Sequence, residues 1–253
     1  MFGRNILGLK LDNLSLVEAA ETVLRHCQTV EAPLLHVITL NPEMVVTAQR
    51  DQDFATIVNR AGLVVPDGVG VVWGAQKLGY PSIQKVPGIE LVEQILALAT
   101  CAGERKLRVY LLGAKLDVVE DARRRAELRY PGVVFCGAHH GYFTAEDSET
   151  IVAQVNAAEP DLLLVGLGSP RQEYWIAEHA KQLNCRAAIG IGGVFDVWAG
   201  RVERAPLFLR RLGLEWLYRL VKQPSRLPRM MALPRFVILV YRRRIQMKGE
   251  EDD

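Results

Sequence analysis

The sequence predicts an α/β fold built on a mainly parallel, Rossmann-like sheet. Three observations point there. Short apolar runs alternate with amphipathic stretches along most of the chain. Several of those runs end in glycine-rich or Pro-Asp-Gly turns, the places where such sheets open toward a ligand. After about Ala205 the pattern gives way to helices rich in Leu, Trp and Arg, broken by Pro206, Pro224, Pro228 and Pro234. We therefore expect a catalytic body over residues 1–200 and a basic helical appendage over 201–253.

The elements follow in order. Residues 15–29 carry Leu16, Ala19, Ala20, Val23 and Leu24 on one helical face. Leu34 to Thr39 reads as a strand, and Asn41-Pro42-Glu43 opens a helix, with Pro42 suited to its first turn. One amphipathic stretch runs from Met44 to Arg60. Val64-Val65 is a short strand entering Pro66-Asp67-Gly68, and 88–102 is helical. Arg108 to Leu112 is a strand, Gly113-Ala114 a tight turn and 115–129 a helix. Val133 to Cys136 is a strand, and Thr144 is placed to cap a helix over 145–158. Asp161 to Val165 is a buried strand, followed by a glycine loop and a helix through Gln182. Arg186 to Ile191 leads into Gly192-Gly193.

The 253 residues suffice for a sizeable core, and the composition is that of a soluble enzyme. The net charge of +2 is uninformative, but its distribution is not. Between Arg201 and Lys248 stand thirteen Lys or Arg against two acids, Glu203 and Glu215. Such a tail meets something anionic. Trp, Phe and Leu interleaved with the arginines favour an anionic membrane surface over nucleic acid, for which no motif is present. Cys27, Cys101, Cys136 and Cys185 are widely spaced, fitting reduced core residues in a cytoplasmic protein. No signal peptide and no membrane-spanning run are expected.

Each strand exit carries two readings. Asp67 is either an ordinary surface turn or an acid held at the ligand crevice by a stiff Pro and a permissive Gly. Asn41 either caps a helix or joins Thr39 in that crevice. Gly166-Leu167-Gly168-Ser169-Pro170-Arg171-Gln172 follows a strand and opens a helix, a phosphate-binding geometry. It is neither GxGxxG nor a P-loop. Asp196, after Gly192-Gly193, either caps a helix or accepts ribose hydroxyls. Asp51-Gln52-Asp53 has the form of a metal-binding DxD but lies within an amphipathic stretch, so we read it as a helix face. His139-His140 reads as a loop pair without a metal role. No metal or other cofactor is expected.

The ordered set of pieces resembles the WecG/TagA/CpsF glycosyltransferases, family 26. The pieces are Thr39-Leu40-Asn41, Pro66-Asp67-Gly68-Val69-Gly70, Gly88-Ile89-Glu90-Leu91, the 166–173 segment, Gly192 to Asp196, Arg204-Ala205-Pro206 and Gly213-Leu214-Glu215-Trp216. The resemblance implies an inverting, metal-independent transferase peripheral to the cytoplasmic face of the plasma membrane. It implies transfer of N-acetylmannosamine from UDP to N-acetylglucosamine on undecaprenyl diphosphate, for teichoic acid or another surface polysaccharide. Glucose or N-acetylmannosaminuronic acid are the alternative donor sugars, and a nonenzymatic nucleotide-binding membrane module is the alternative class. A homo-oligomer is left open.

By the same resemblance, Asp67 is the base, Thr39 and Asn41 line its pocket, and Gln172 reaches the donor. Tyr142 and Asp196 hold the nucleoside, with Gly113, Gly166, Gly168 and Gly193 at the glycine exits. Lys85, Glu90, Arg219, Arg226 and Arg229 are expected to meet substrate. Lys85 stands where members carry Arg, which keeps the charge and loses the bidentate fork.

Overall fold

A computed structural model of the chain describes residues 4–29, 33–101, 105–224 and 227–252. Its centre is a six-stranded sheet in the order β4-β3-β8-β7-β5-β6, every pairing parallel. The strands are β3 (Leu35–Leu40), β4 (Leu63–Pro66), β5 (Arg108–Gly113), β6 (Val134–His139), β7 (Leu162–Gly166) and β8 (Ala187–Gly190). The expected α/β fold is what forms. A hairpin of β1 (Arg4–Ile6) and β2 (Leu9–Leu11) precedes it. Leu7 and Gly8 turn that hairpin with φ of 53° and 89°.

Alternate residues of each strand enter opposite cores, the period-two rule applied to a sheet covered on both sides. Val37, Leu111, Leu164 and Ile189 pack beneath α1 (Leu16–Gln28), α5 (Gly88–Cys101), α6 (Leu116–Arg129) and α9 (Val194–Trp198). On the other face, Leu112, Leu163, Val165 and Ala188 pack beneath α7 (Ser148–Ala157) and α8 (Arg171–His179). Ile38, Leu40 and Val64 join a third core beneath α2 (Pro42–Ala48), α3 (Gln52–Arg60) and α4 (Gly68–Lys77).

Several local expectations change. The stretch 44–60 is two helices, because Asp51 interrupts it and caps α3, accepting from the Phe54 N–H at 3.0 Å. Asp51 also accepts from the Tyr174 hydroxyl at 2.7 Å, so the DxD-like acid has a structural role. The helix expected from 145 starts at Ser148. Thr144 does not cap it: its N–H and hydroxyl both donate to the Asp147 carboxylate.

The basic tail forms α10 (Leu207–Arg211), α11 (Glu215–Lys222), α12 (Leu227–Met230) and α13 (Ala232–Asp252). Residue 200 does not mark the edge of the core. Ala232, Phe236 and Val240 of α13 are buried in the same core as α2 and α4. Gly74 of α4 makes this approach close: a Cβ there would lie 2.5 Å from the Phe236 ring. Among the described residues, no helix is long and apolar enough to cross a membrane.

Candidate active site

The sheet itself selects where a ligand sits. The chain leaves β5 toward β6 and leaves β7 toward β8, in opposite directions from adjacent strands. This divergence opens a crevice beyond their carboxyl ends. Glycine is required beneath it. Gly113 has φ of +144°, and a Cβ there would come within 2.5 Å of the Gly166 carbonyl carbon. A Cβ on Gly166 would press on the Phe195 ring at 2.8 Å. Gly166 lines the crevice, whereas Gly113, expected to meet the ligand at a glycine exit, lies buried beneath it.

Two cavities meet over the sheet. The first, about 500 Å3, lies over β5, β7 and β8 and is lined by Tyr142, Gly166, Gly168, Gln172, Gly193 and Asp196, among others. The second, about 420 Å3, lies over β3 and β4 and reaches under the tail helices; Lys85, Gly88, Arg210, Trp216, Met230 and Leu233 line it. Thr39, Asn41, Glu43, Asp67, Gly193 and Arg229 line both. Of the residues expected at a reaction centre, Asp67, Thr39 and Asn41 thus stand at the junction, whereas Gln172 lines only the first cavity.

Asp67 is held there by its backbone. Its N–H donates to the Leu40 carbonyl at 2.8 Å, and the neighbouring Pro66 carbonyl accepts from Val86 N–H at 2.8 Å. Gly68 turns the chain into α4 with φ of +84°. Asp67 occupies the N-cap position of α4 without a side-chain capping bond. Thr39 is buried at the end of β3, and Gly88 lets the start of α5 approach its hydroxyl: a Cβ there would lie 3.0 Å from Oγ1. Asn41 does cap α2, accepting from the Met44 N–H at 3.0 Å, while still lining both cavities. Capping and pocket lining are not exclusive.

Gln172 lines the larger cavity but is committed to the protein. Its Nε2 donates to Glu173 Oε1 at 2.7 Å, and its Oε1 accepts from the Gly192 N–H at 3.0 Å. It braces the β8 exit against α8. A Cβ on Gly190 would collide with Nε2 at 2.4 Å, so the amide lies flat on that strand. Glu173 is buried beside it, and desolvation pushes its carboxyl above the usual range.

Glu90 lines neither cavity. It accepts from Arg204 Nη2 at 2.5 Å and lies 3.5 Å from Arg210 Nη1. Arg204 also faces Glu215 at 3.9 Å. This cluster fastens the segment before α10 to α5. Arg229 of α12 lies 3.8 Å from Glu43 and brings the tail to the junction. Arg219 lies on α11; Arg226 lies outside the described residues. Asp196 is in the first turn of α9, with Gly193 at the N-cap position, so it is not itself the cap.

Sequence reading passed over Glu43, Arg210 and Arg171. Glu43 had the look of an ordinary first-turn acid, and Arg210 that of one more solvated cation. Among the described residues, no group of three or more His, Cys, Asp or Glu side chains is placed to hold a metal ion.

The profile of the glycosyl transferase WecG/TagA/CpsF family matches residues 4–250. A Staphylococcus aureus strain MW2 protein named N-acetylglucosaminyldiphosphoundecaprenol N-acetyl-beta-D-mannosaminyltransferase is 35% identical over 244 residues, covering 96% of this chain and 94% of the relative. Proteins of the same name from strains NCTC 8325 / PS 47 and MRSA252 are 35% and 34% identical over the same shares.

Proposed function

Because the chain belongs to the WecG/TagA/CpsF glycosyl transferase family, we propose that it moves N-acetylmannosamine from a UDP donor to N-acetylglucosaminyl-diphospho-undecaprenol, with inversion and without a metal ion. The observation that carries this reading is Asp67 at the junction of two cavities of different character. The cavity lined by Gly166 and Gly168 takes the nucleotide. The cavity under the tail helices takes the lipid-linked sugar.

The chemistry follows from that arrangement. Asp67 removes the proton from the acceptor hydroxyl as its oxygen attacks the anomeric carbon. The bond from that carbon to the diphosphate oxygen breaks on the opposite face, and UDP leaves with the bonding pair. Charge grows on the diphosphate. Lys85, Arg210 and Arg229, three of the cations that line the cavities, offset it. Arg219 and Arg226 belong to the same cationic tail and are assigned the same task by family resemblance. Thr39 and Asn41 orient the acceptor beside Asp67.

The tail supports a membrane-surface site. Leu207, Phe208, Leu212, Val221 and Leu227 are exposed among its arginines. Such a surface suits the anionic lipids of the leaflet that presents the acceptor. We place that leaflet on the cytoplasmic side, where nucleotide sugars are made. The product enters a surface polymer such as teichoic acid.

The test is a transfer assay in vesicles carrying the lipid-linked N-acetylglucosamine acceptor. UDP-N-acetylmannosamine, UDP-N-acetylmannosaminuronic acid and UDP-glucose are each supplied with and without chelator. The first donor is expected to give the highest kcat/KM, with no change on chelation. Preference for another donor overturns the sugar assignment, and loss of activity on chelation overturns the metal-free mechanism.

A further inference from the structure

Tyr142 lines the nucleotide cavity although 70% of its surface is exposed. A loop tyrosine that must be ordered on binding makes a poor platform, because the ordering cost comes out of the affinity. This loop is held in advance. Gly141 N–H donates to the Ala114 carbonyl at 2.8 Å. Gly141 has no room for a side chain: a Cβ would lie 2.8 Å from Leu167 and 3.0 Å from the Gly113 Cα.

The carbonyls on either side of Tyr142 are both taken by one residue. Arg171 donates from Nη1 to the Gly141 carbonyl at 3.1 Å and from Nη2 to the Phe143 carbonyl at 2.8 Å. Its guanidinium lies 4.9 Å from the centre of the Phe143 ring. Phe143 in turn meets Trp175 edge-on at 6.4 Å. Arg171 is the first residue of α8, directly after the Gly166–Pro170 segment. One side chain therefore ties the β7 exit to the β6 exit around Tyr142. A planar fork reaches two carbonyls at once, and an ammonium does not reproduce that geometry.

We propose that Arg171 is the positioning residue that presents Tyr142 to the base of the nucleotide, and so sets the affinity for the uridine end of the donor. The proposal rests on the reading that the cavity over β5 and β7 takes the nucleotide. It gives Arg171 no contact with the reacting atoms. Its effect belongs in donor KM and in UDP affinity, with little effect on kcat.

The experiment uses the full chain and the variants Y142A, R171M, R171K and R171M/Y142A. UDP affinity is measured by titration calorimetry, donor KM and kcat by transfer, and protection of residues 140–147 by hydrogen exchange. Stacking of a base on one aromatic ring predicts about a tenfold loss of UDP affinity for Y142A. R171M is expected to lose a similar factor, with R171K between it and the parent. The double variant should be no worse than Y142A within about twofold, because coupled residues are not additive. Exchange of 140–147 should rise in R171M.

Multiplied losses in the double variant overturn the proposal. So does weakened binding in R171M with unchanged exchange, or a fall in kcat at unchanged donor KM. If Y142A binds UDP like the parent, the nucleotide reading of the cavity fails and the proposal falls with it. If Y142A is weakened and R171M is not, the proposal alone fails. Should R171M not fold, R171K decides: parental affinity and exchange overturn the idea.

Discussion

The two cavities are built on opposite plans. The one over β5, β7 and β8 is lined by strand exits such as Gly166, with the buried Gly113 packed so close beneath that no side chain fits between the two glycines. The one over β3 and β4 is completed by the tail, through Arg210, Trp216, Met230 and Leu233. The first is fixed by a continuous sheet; the second depends on docking of helices after residue 206. On the proposed function, the difference teaches how one enzyme meets two unlike ligands. A soluble nucleotide is suited by a preformed backbone cradle, while a lipid-borne sugar needs a wall that also faces the membrane. Asp67 stands where the two constructions join.

The sharpest way to break the comparison is at that join. Asp67→Asn keeps the shape of the side chain and removes the proposed base. We expect kcat to fall by about 10³-fold, the range for a lost general base, with UDP affinity unchanged. Calorimetry beside the transfer assay separates the two effects. Residual turnover near the parental rate would move the base elsewhere.

The next largest effect tests whether the tail is truly separable. Phe236 is buried beside Gly74 in the core it shares with α2 and α4. Phe236→Ala should cost about 3 kcal/mol of stability, as for other large-to-small changes in cores. Urea unfolding measures it. A cost below about 1 kcal/mol would mean that α13 is an ornament on the body rather than part of it.

Much of this was legible in the sequence, for definite reasons. A sheet covered on both faces writes itself as short apolar runs, so the strands of the second half and their glycine exits could be read directly. The hairpin of β1 and β2 was not legible, because Leu7 takes the positive φ at which Asn or Gly would signal a turn. The break between α2 and α3 was hidden because Asp51 looks like one more polar residue on a helix face. At the site, spacing left Asp67, Thr39 and Asn41 open between a surface turn or cap and a pocket, and it was the ordered set of family motifs that chose the pocket. Glu90 was read as a substrate contact, whereas its partners are Arg204 and Arg210, more than a hundred residues away. Long-range ion pairs leave no local spacing to read. Gln172 was similar: its partners depend on how α8 lies against β8, which no motif states.

The nucleotide side is tested just beneath its lining. Gly113→Ala places a Cβ 2.5 Å from the Gly166 backbone, at a φ of +144° that side chains avoid. Something in the β5 or β7 exit must move, at a cost of roughly 1–3 kcal/mol. UDP affinity should fall by about tenfold or more, while binding of the lipid-linked acceptor to the free enzyme changes little. Parallel titrations with UDP and with acceptor vesicles check this. Equal losses for both ligands would show that the two cavities are not independently built.

The smallest expected effect falls on the tail side, where Glu90 joins α5 to Arg204 and Arg210. Glu90→Gln retains the size of the side chain and removes its charge, leaving Arg204 with Glu215 at 3.9 Å. Because the cluster is only partly buried, solvent screens it and its loss is worth about 1 kcal/mol. That energy holds the wall of the acceptor cavity, so KM for the lipid-linked acceptor should rise severalfold with donor KM and UDP affinity unchanged. Salt gives the control. Raising ionic strength should weaken the parent toward the variant, since screening acts on the charge that the variant already lacks. A variant that instead loses donor affinity would return Glu90 to the substrate, and the tail would need another fastening.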